Sequence, residues 1–118
     1  MTTQQTWLIT GASGGFGLAL AREALKAGHR VVATTRQEIL PLDHDNLTVM
    51  RLDPADRTAC RHVVEQVVDD AGRLDVLVNN AGYGLVGAIE EVSEEEARAI
   101  LDVDLLAPLW LTQAALPV

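Results

Sequence analysis

One octapeptide constrains this chain more than any other feature: Thr10-Gly11-Ala12-Ser13-Gly14-Gly15-Phe16-Gly17, set between an apolar run and a helical pattern. Trp7-Leu8-Ile9-Thr10 reads as a strand. Phe16 to Ala27 reads as a helix, with Leu20, Ala21, Ala24 and Leu25 on one face and Gly28 after its end. Glycines at such a junction have a specific use. Gly11 permits a tight turn off the strand, Gly15 lets main chain approach a ligand, and Gly17 lets the helix lie close to the sheet. The unpaired N–H groups of the helix's first turn, at the positive end of its dipole, then suit a diphosphate. Glycine also gathers in turns for steric reasons alone, so the placement at a strand-to-helix junction carries the argument. The spacing is Thr-Gly-x-x-x-Gly-x-Gly, and no Gly-Lys-Ser/Thr follows as in a P-loop.

The rest of the chain repeats the alternation. Arg30 to Thr35 is a second strand, and the polar stretch 37–46, with Pro41, leaves room only for a short or distorted helix. Leu47 to Leu52 is a third strand. A helix is expected from Arg57 to Ala71, capped by Asp56 and ended by Gly72, with Ala59, Val63, Val64 and Val67 inward and Arg61, His62, Glu65 and Asp69 in water. Asp75 to Val78 is a fourth strand. Ser93-Glu94-Glu95-Glu96 has the form of a capping box and opens a helix carrying Ala97, Ile100 and Leu101. Leu105 to Leu116 continues as an apolar-rich helix that Pro108 should kink or break. This order predicts an α/β fold: one domain over residues 1–118, a Rossmann-type three-layer unit with a parallel sheet of about four strands in the order 3-2-1-4, against six in the complete fold.

Composition narrows the partners. Only 3% of the residues are aromatic against 48% hydrophobic, so Val, Leu, Ile and Ala must fill the core, as in parallel sheets covered on both faces. The net charge of −8 argues against nucleic acid or an anionic membrane as partner, and any anionic ligand must be held by local groups. No stretch approaches the roughly 18 consecutive apolar residues of a membrane span. The start, Met-Thr-Thr-Gln-Gln-Thr, lacks the features of a signal peptide, and the single Cys60 makes a reducing cytoplasm the default location. His29, His44 and His62 are scattered without zinc-ligand spacing, and Glu90, Glu91 and Glu94 to Glu96 read as a solvated helix start.

The glycine spacing resembles that of the short-chain dehydrogenases/reductases, in their compact branch. The match continues at Leu52-Asp53, at Gly72-Arg73-Leu74-Asp75-Val76-Leu77-Val78-Asn79-Asn80-Ala81-Gly82, and on to Leu116-Pro117-Val118, in order and over essentially the whole chain. The stretch Asn79 to Glu91 is similar to members acting on hydrophobic alcohols and ketones, of the retinol- and hydroxysteroid-dehydrogenase kind. The resemblance implies a nicotinamide dinucleotide held by Thr10, Gly11, Ser13, Gly14, Gly15, Phe16 and Gly17, by Asp53 at the adenine edge, and by Asn80, Ala81 and Gly82 beyond the fourth strand. Asp53 ahead of Pro54 also reads as a plain turn residue. Where NAD users place an acidic residue against the ribose 2′-hydroxyl, this chain has Thr35 followed by Arg36, and no carboxylate stands there in sequence. A guanidinium suits a 2′-phosphate, so NADP(H) is expected in preference to NAD(H); a solvated loop arginine is the plain alternative.

The catalytic residues the resemblance calls for, a serine and a Tyr-x-x-x-Lys, do not occur: the chain has one tyrosine, Tyr83, with Gly87 four residues on, and one lysine, Lys26. It is therefore expected to be the N-terminal part of an NADP-dependent oxidoreductase, truncated relative to the family and inactive alone. A non-catalytic nucleotide- or protein-binding module, or a truncated product, stay open. At the position of the family's relay asparagine stands Asp104, which accepts but does not donate at neutral pH; it is either a departure from that relay or a polar residue at a helix kink. Tyr83 either lines a substrate pocket or is a surface aromatic. Leu109, Trp110, Leu111 and Leu116, with no following strand to cover them, predict a homo-oligomer through the C-terminal helix.

Overall fold

The computed structural model describes residues 3–36 and 40–118. Among the described residues four strands form one parallel sheet: β1 (Thr6–Ile9), β2 (Arg30–Thr35), β3 (Leu47–Arg51) and β4 (Val76–Val78), in the order β3-β2-β1-β4. Leu8 of β1 sits between Val32 of β2 and Leu77 of β4. Four α-helices among these residues accompany the sheet: α1 (Gly15–Lys26), α2 (Arg57–Ala71), α3 (Glu94–Leu101) and α4 (Ala107–Ala115). Because strand side chains alternate between faces, β1 and β2 supply two cores. On one face Leu8, Val32 and Leu52 pack with Cys60, Val63, Val64 and Val67 of α2 and with Leu111 of α4. On the other, Ile9, Val31 and Ala33 pack with Ala21, Ala24 and Leu25 of α1 and with Leu40.

Local chemistry sets the helix ends. The Asp56 carboxylate accepts the Ala59 N–H at 3.0 Å, and α2 stops at Gly72. Ser93 and Glu96 form the expected capping box, with Glu96 N–H donating to Ser93 Oγ at 3.0 Å and Ser93 N–H to Glu96 Oε1 at 3.2 Å. No helix is present in 40–46, and the expectation for 37–39 lies outside the described residues.

Three expectations need correction. Leu20 does not face the core: it is 37% exposed, because α1 meets the sheet along the narrow strip of Gly17, Ala21, Ala24 and Leu25. Leu111 is not uncovered either, being 1% exposed within the α2 core, while Trp110 packs against that core under the Arg57 guanidinium, 4.0 Å from the ring centre. Leu101, Leu105, Leu109 and Leu116 do remain exposed. Finally, Pro108 does not break its helix. A π-turn over Asp102–Leu106 links α3 to α4, with Ala107 N–H donating to the Asp102 carbonyl five residues back. That wider turn stands where the proline ring would crowd the carbonyl four residues before it. Among the described residues no helix is long and apolar enough to cross a membrane.

Candidate functional site

The carboxyl ends of β1, β2 and β4 enclose a crevice of about 470 Å³ where the strand order reverses. Its floor is the start of α1. Gly14, the residue before that helix, brings no side chain to cap it, so the first-turn N–H groups have no such competitor for an anion. Gly15 has φ +57, a left-handed conformation suited to glycine, and a Cβ added at Gly14 or Gly15 would meet nothing within 4 Å. Bare main chain thus faces open space, as a diphosphate requires.

The opposite wall is fastened to the floor by side chains 70 residues apart. Thr10, 1% exposed, accepts N–H groups from Asn80 at 3.1 Å and Ala81 at 3.0 Å on its Oγ1, and its hydroxyl lies 3.4 Å from the Val78 carbonyl. Asn80 Nδ2 in turn donates to the carbonyls of Thr10 at 3.1 Å and Gly11 at 3.0 Å. This latch leaves no spare room. A Cβ on Gly11 would stand 2.8 Å from Ala81 Cα, and one on Gly17 would stand 2.5 Å from Asn80 Nδ2 and 2.6 Å from the Gly11 carbonyl.

Beyond β4 the chain is braced by Asp104, whose Oδ1 accepts the Tyr83 N–H at 3.0 Å from within the π-turn. The structure therefore gives Asp104 a definite task, holding the loop at the mouth of the crevice. At the outer end of β2, Arg36 lines the crevice and lies 3.8 Å from Asp53 Oδ1. The end of β2 itself carries Thr35 and Arg36, as read; the carboxylate beside Arg36 comes from the neighbouring strand, because β3 pairs beside β2 and its exit brings Asp53 across. Asp53 Oδ1 also accepts the Ala55 N–H at 3.0 Å, so the turn role is real, and Asp53 lies beside the crevice instead of on its wall.

Of the residues singled out by sequence, Gly11, Ser13, Gly14, Gly15, Phe16, Arg36, Asn80, Ala81 and Gly82 meet around one space. Thr10 lies behind its wall as a fastener, and Gly17 as a point of close packing. Tyr83 is on the lining; Thr34, Pro54 and Val103 are there too, without having been singled out. Their signal was only position, at strand exits or inside the π-turn. Other chemistry finds no support here. Burial, and then the charges of Asp56 and Asp53, push the Cys60 thiol up to about 11, so it is no ready thiolate. His29 is buried against Trp7 and accepts the Gln5 N–H on Nδ1. Among the described residues no group of three or more His, Cys, Asp or Glu is placed to hold a metal.

Residues 5–118 match the family model described as short chain dehydrogenase. The chain belongs to that family. An oxidoreductase, claN, of Passalora fulva is 42% identical to it over 95% of this chain and 54% of its own length. The chain spans 40% to 54% of the length of the first curated relatives it matches. The crystal structure of a short-chain dehydrogenase from Streptomyces avermitilis is 40% identical, with a TM-score of 0.92 over 98% of this chain and 44% of that one. The structure of ElxO with NADP bound is 28% identical, with a TM-score of 0.89 over 98% of this chain and 50% of that one. Fold alone does not select the cofactor. A Leptospira borgpetersenii short-chain dehydrogenase with bound NAD+, 23% identical and at TM-score 0.87, superimposes over 95% of this chain and 44% of its own. As a short-chain dehydrogenase the chain carries the nicotinamide-dinucleotide unit of an oxidoreductase family.

Proposed function

We propose that these 118 residues hold NADP(H) for a short-chain oxidoreductase that passes hydride between the nicotinamide and a hydrophobic alcohol or ketone. The observation that carries this reading is the crevice itself. An uncapped helix start, bare glycine backbone and the Thr10–Asn80 latch shape it for a diphosphate, and a guanidinium stands at its outer end. When bound, the cofactor supplies or accepts the hydride. The chain's own residues do the rest of the binding: first-turn amides at Gly15 and Phe16 take the diphosphate, Asn80, Ala81 and Gly82 shape the wall beside the ribose, and Arg36 faces the 2′-phosphate. ElxO, a relative of the same fold, holds NADP, which supports this choice of cofactor. Because the chain has no Tyr-x-x-x-Lys, the proposal gives these residues the cofactor and not the proton transfer. Val86, wholly exposed, and Ile89, 87% exposed, follow Tyr83 of the crevice lining in sequence and support an apolar substrate.

Calorimetric titration tests the cofactor. NADPH is expected to bind more tightly than NADH, and Arg36→Gln to weaken NADPH about tenfold while leaving NADH nearly unchanged, the loss of one charge-assisted contact. Equal affinity of the parent protein for both cofactors would refute the preference. The exposed row Leu101, Leu105 and Leu109 supports a second proposal, self-association through the α3–α4 helix. Sedimentation velocity is expected to show a dimer or larger species, and a monomer at micromolar concentration contradicts it.

A further inference from the structure

A second recess, of about 350 Å³, lies in the groove between α2 and α4 and shares no residue with the crevice. Its walls are Arg57, Thr58 and Arg61 of α2 and Trp110, Gln113 and Ala114 of α4. Helical spacing explains the meeting. Residues 57 and 61 stand one turn apart on α2, and 110, 113 and 114 share one side of α4; the packing of the two helices sets these rows face to face.

The chemistry of the lining is one-sided. None of the six side chains is acidic, and two guanidiniums, a hydroxyl and an amide can all donate hydrogen bonds into the space. Trp110 packs against the α2 core and carries the Arg57 guanidinium over its ring, 4.0 Å from the centre. Stacking of this kind fixes the guanidinium plane and leaves the N–H groups on its edge able to donate. No carboxylate of the described residues forms an ion pair with Arg57.

Two carboxylates stand close, and neither lines the recess. Glu65 Oε1 lies 3.7 Å from Arg61 Nε, and the two side chains are 58% and 63% exposed, a surface contact that contributes little. Asp56 is committed to the helix start, where its Oδ1 accepts the Ala59 N–H at 3.0 Å. An anion in the groove is therefore held by side chains on the helix flanks and not by the amides that open α2. Forked guanidinium donors match phosphate oxygens in geometry as well as charge.

We propose that this groove is a second anion site, which takes a phosphate dianion, free or as a monoester, between Arg57 and Arg61, with Thr58 and Gln113 donating to its remaining oxygens. The site is separate from the dinucleotide crevice and does not depend on the NADP(H) reading.

The test is titration of inorganic phosphate, glycerol phosphate and, at matched ionic strength, sodium chloride into the parent protein, Arg57→Gln and Arg61→Gln, each checked for folding by thermal melting. Calorimetry gives the affinities, and the indole N–H signals in NMR spectra give the place. Phosphate is expected to move the Trp110 signal saturably and to leave that of Trp7 where it is, while chloride moves neither. Arg61→Gln, which keeps the Arg57–Trp110 stack, should weaken phosphate about fivefold and NADPH by less than about twofold. Arg57→Gln loses the stack as well and should weaken phosphate about tenfold. Tighter binding of glycerol phosphate than of inorganic phosphate supports the site and marks its ligand as an ester, and the reverse order supports it with the free ion. A Trp110 signal that does not respond, a response that chloride reproduces, or an Arg61→Gln variant that binds phosphate as the parent does would each overturn the proposal.

Discussion

Gly17→Ala is expected to melt roughly 10 °C below the parent protein and to lose most of its affinity for the dinucleotide. Alanine is the better helix former, which alone would stabilise α1 by about 1 kcal/mol. Packing opposes that gain and wins. The new methyl would lie 2.5 Å from Asn80 Nδ2 and 2.6 Å from the Gly11 carbonyl, and the second of these is main chain that cannot swing aside. Overpacking of this kind costs about 1–3 kcal/mol. Moving Asn80 away also breaks its bonds to the Thr10 and Gly11 carbonyls, each worth about 1 kcal/mol. The net loss is about 2–4 kcal/mol, out of a stability of about 5–15 kcal/mol for an ordinary domain. Differential scanning calorimetry with and without NADPH reads both effects. A melting temperature equal to the parent's would show that α1 and the Asn80 wall are not in the contact described.

Thr10→Val is expected to destabilise by about 1–3 kcal/mol and to slacken cofactor binding, although the side-chain shape is preserved. The hydroxyl is the acceptor for Ala81 N–H at 3.0 Å and for Asn80 N–H at 3.1 Å, and Thr10 is 1% exposed, so water has little access to replace it. The two amides do not suffer equally. Asn80 N–H also reaches the Val78 carbonyl at 3.1 Å and keeps that partner, while the Ala81 amide loses the acceptor the hydroxyl gave it. Thr10→Ser retains the oxygen and should recover most of the loss. Denaturant unfolding of the three proteins measures it, and Val and Ser variants of equal stability would remove the hydroxyl from the account.

Elements governed by neighbouring residues were legible before any coordinates. α2 runs from Arg57 to Ala71 as read, because a side-chain cap at one end and a glycine at the other are local signals. The glycine turn and the capping box at Ser93 belong to the same class, while the strand order followed from the rules that connect alternating strands and helices. What stayed hidden depends on register between distant segments. The Thr10–Asn80 latch spans 70 residues, and Asp53 reaches Arg36 only because β3 lies alongside β2. Leu20 was misread because periodicity shows which side of a helix is apolar but not how wide a strip the sheet will cover. Leu111 was misread for the opposite reason: its cover comes from α2, which sequence order does not place beside α4.

The π-turn ahead of Pro108 has one more consequence. Val103, Ala107 and Leu111 are all buried and follow one another at steps of four residues, a spacing that in uniform α-helix over-rotates by about 40° at each step. The surplus residue acts as a shim that absorbs this excess, keeping the inward edge straight while aiming Asp104 at the Tyr83 amide. Trimming one position from 102–106 would return the segment to ordinary winding and swing that carboxylate off its target, with Leu111 still seated on α2. Geometry at the mouth of the crevice is thereby adjustable in isolation from the hydrophobic interior.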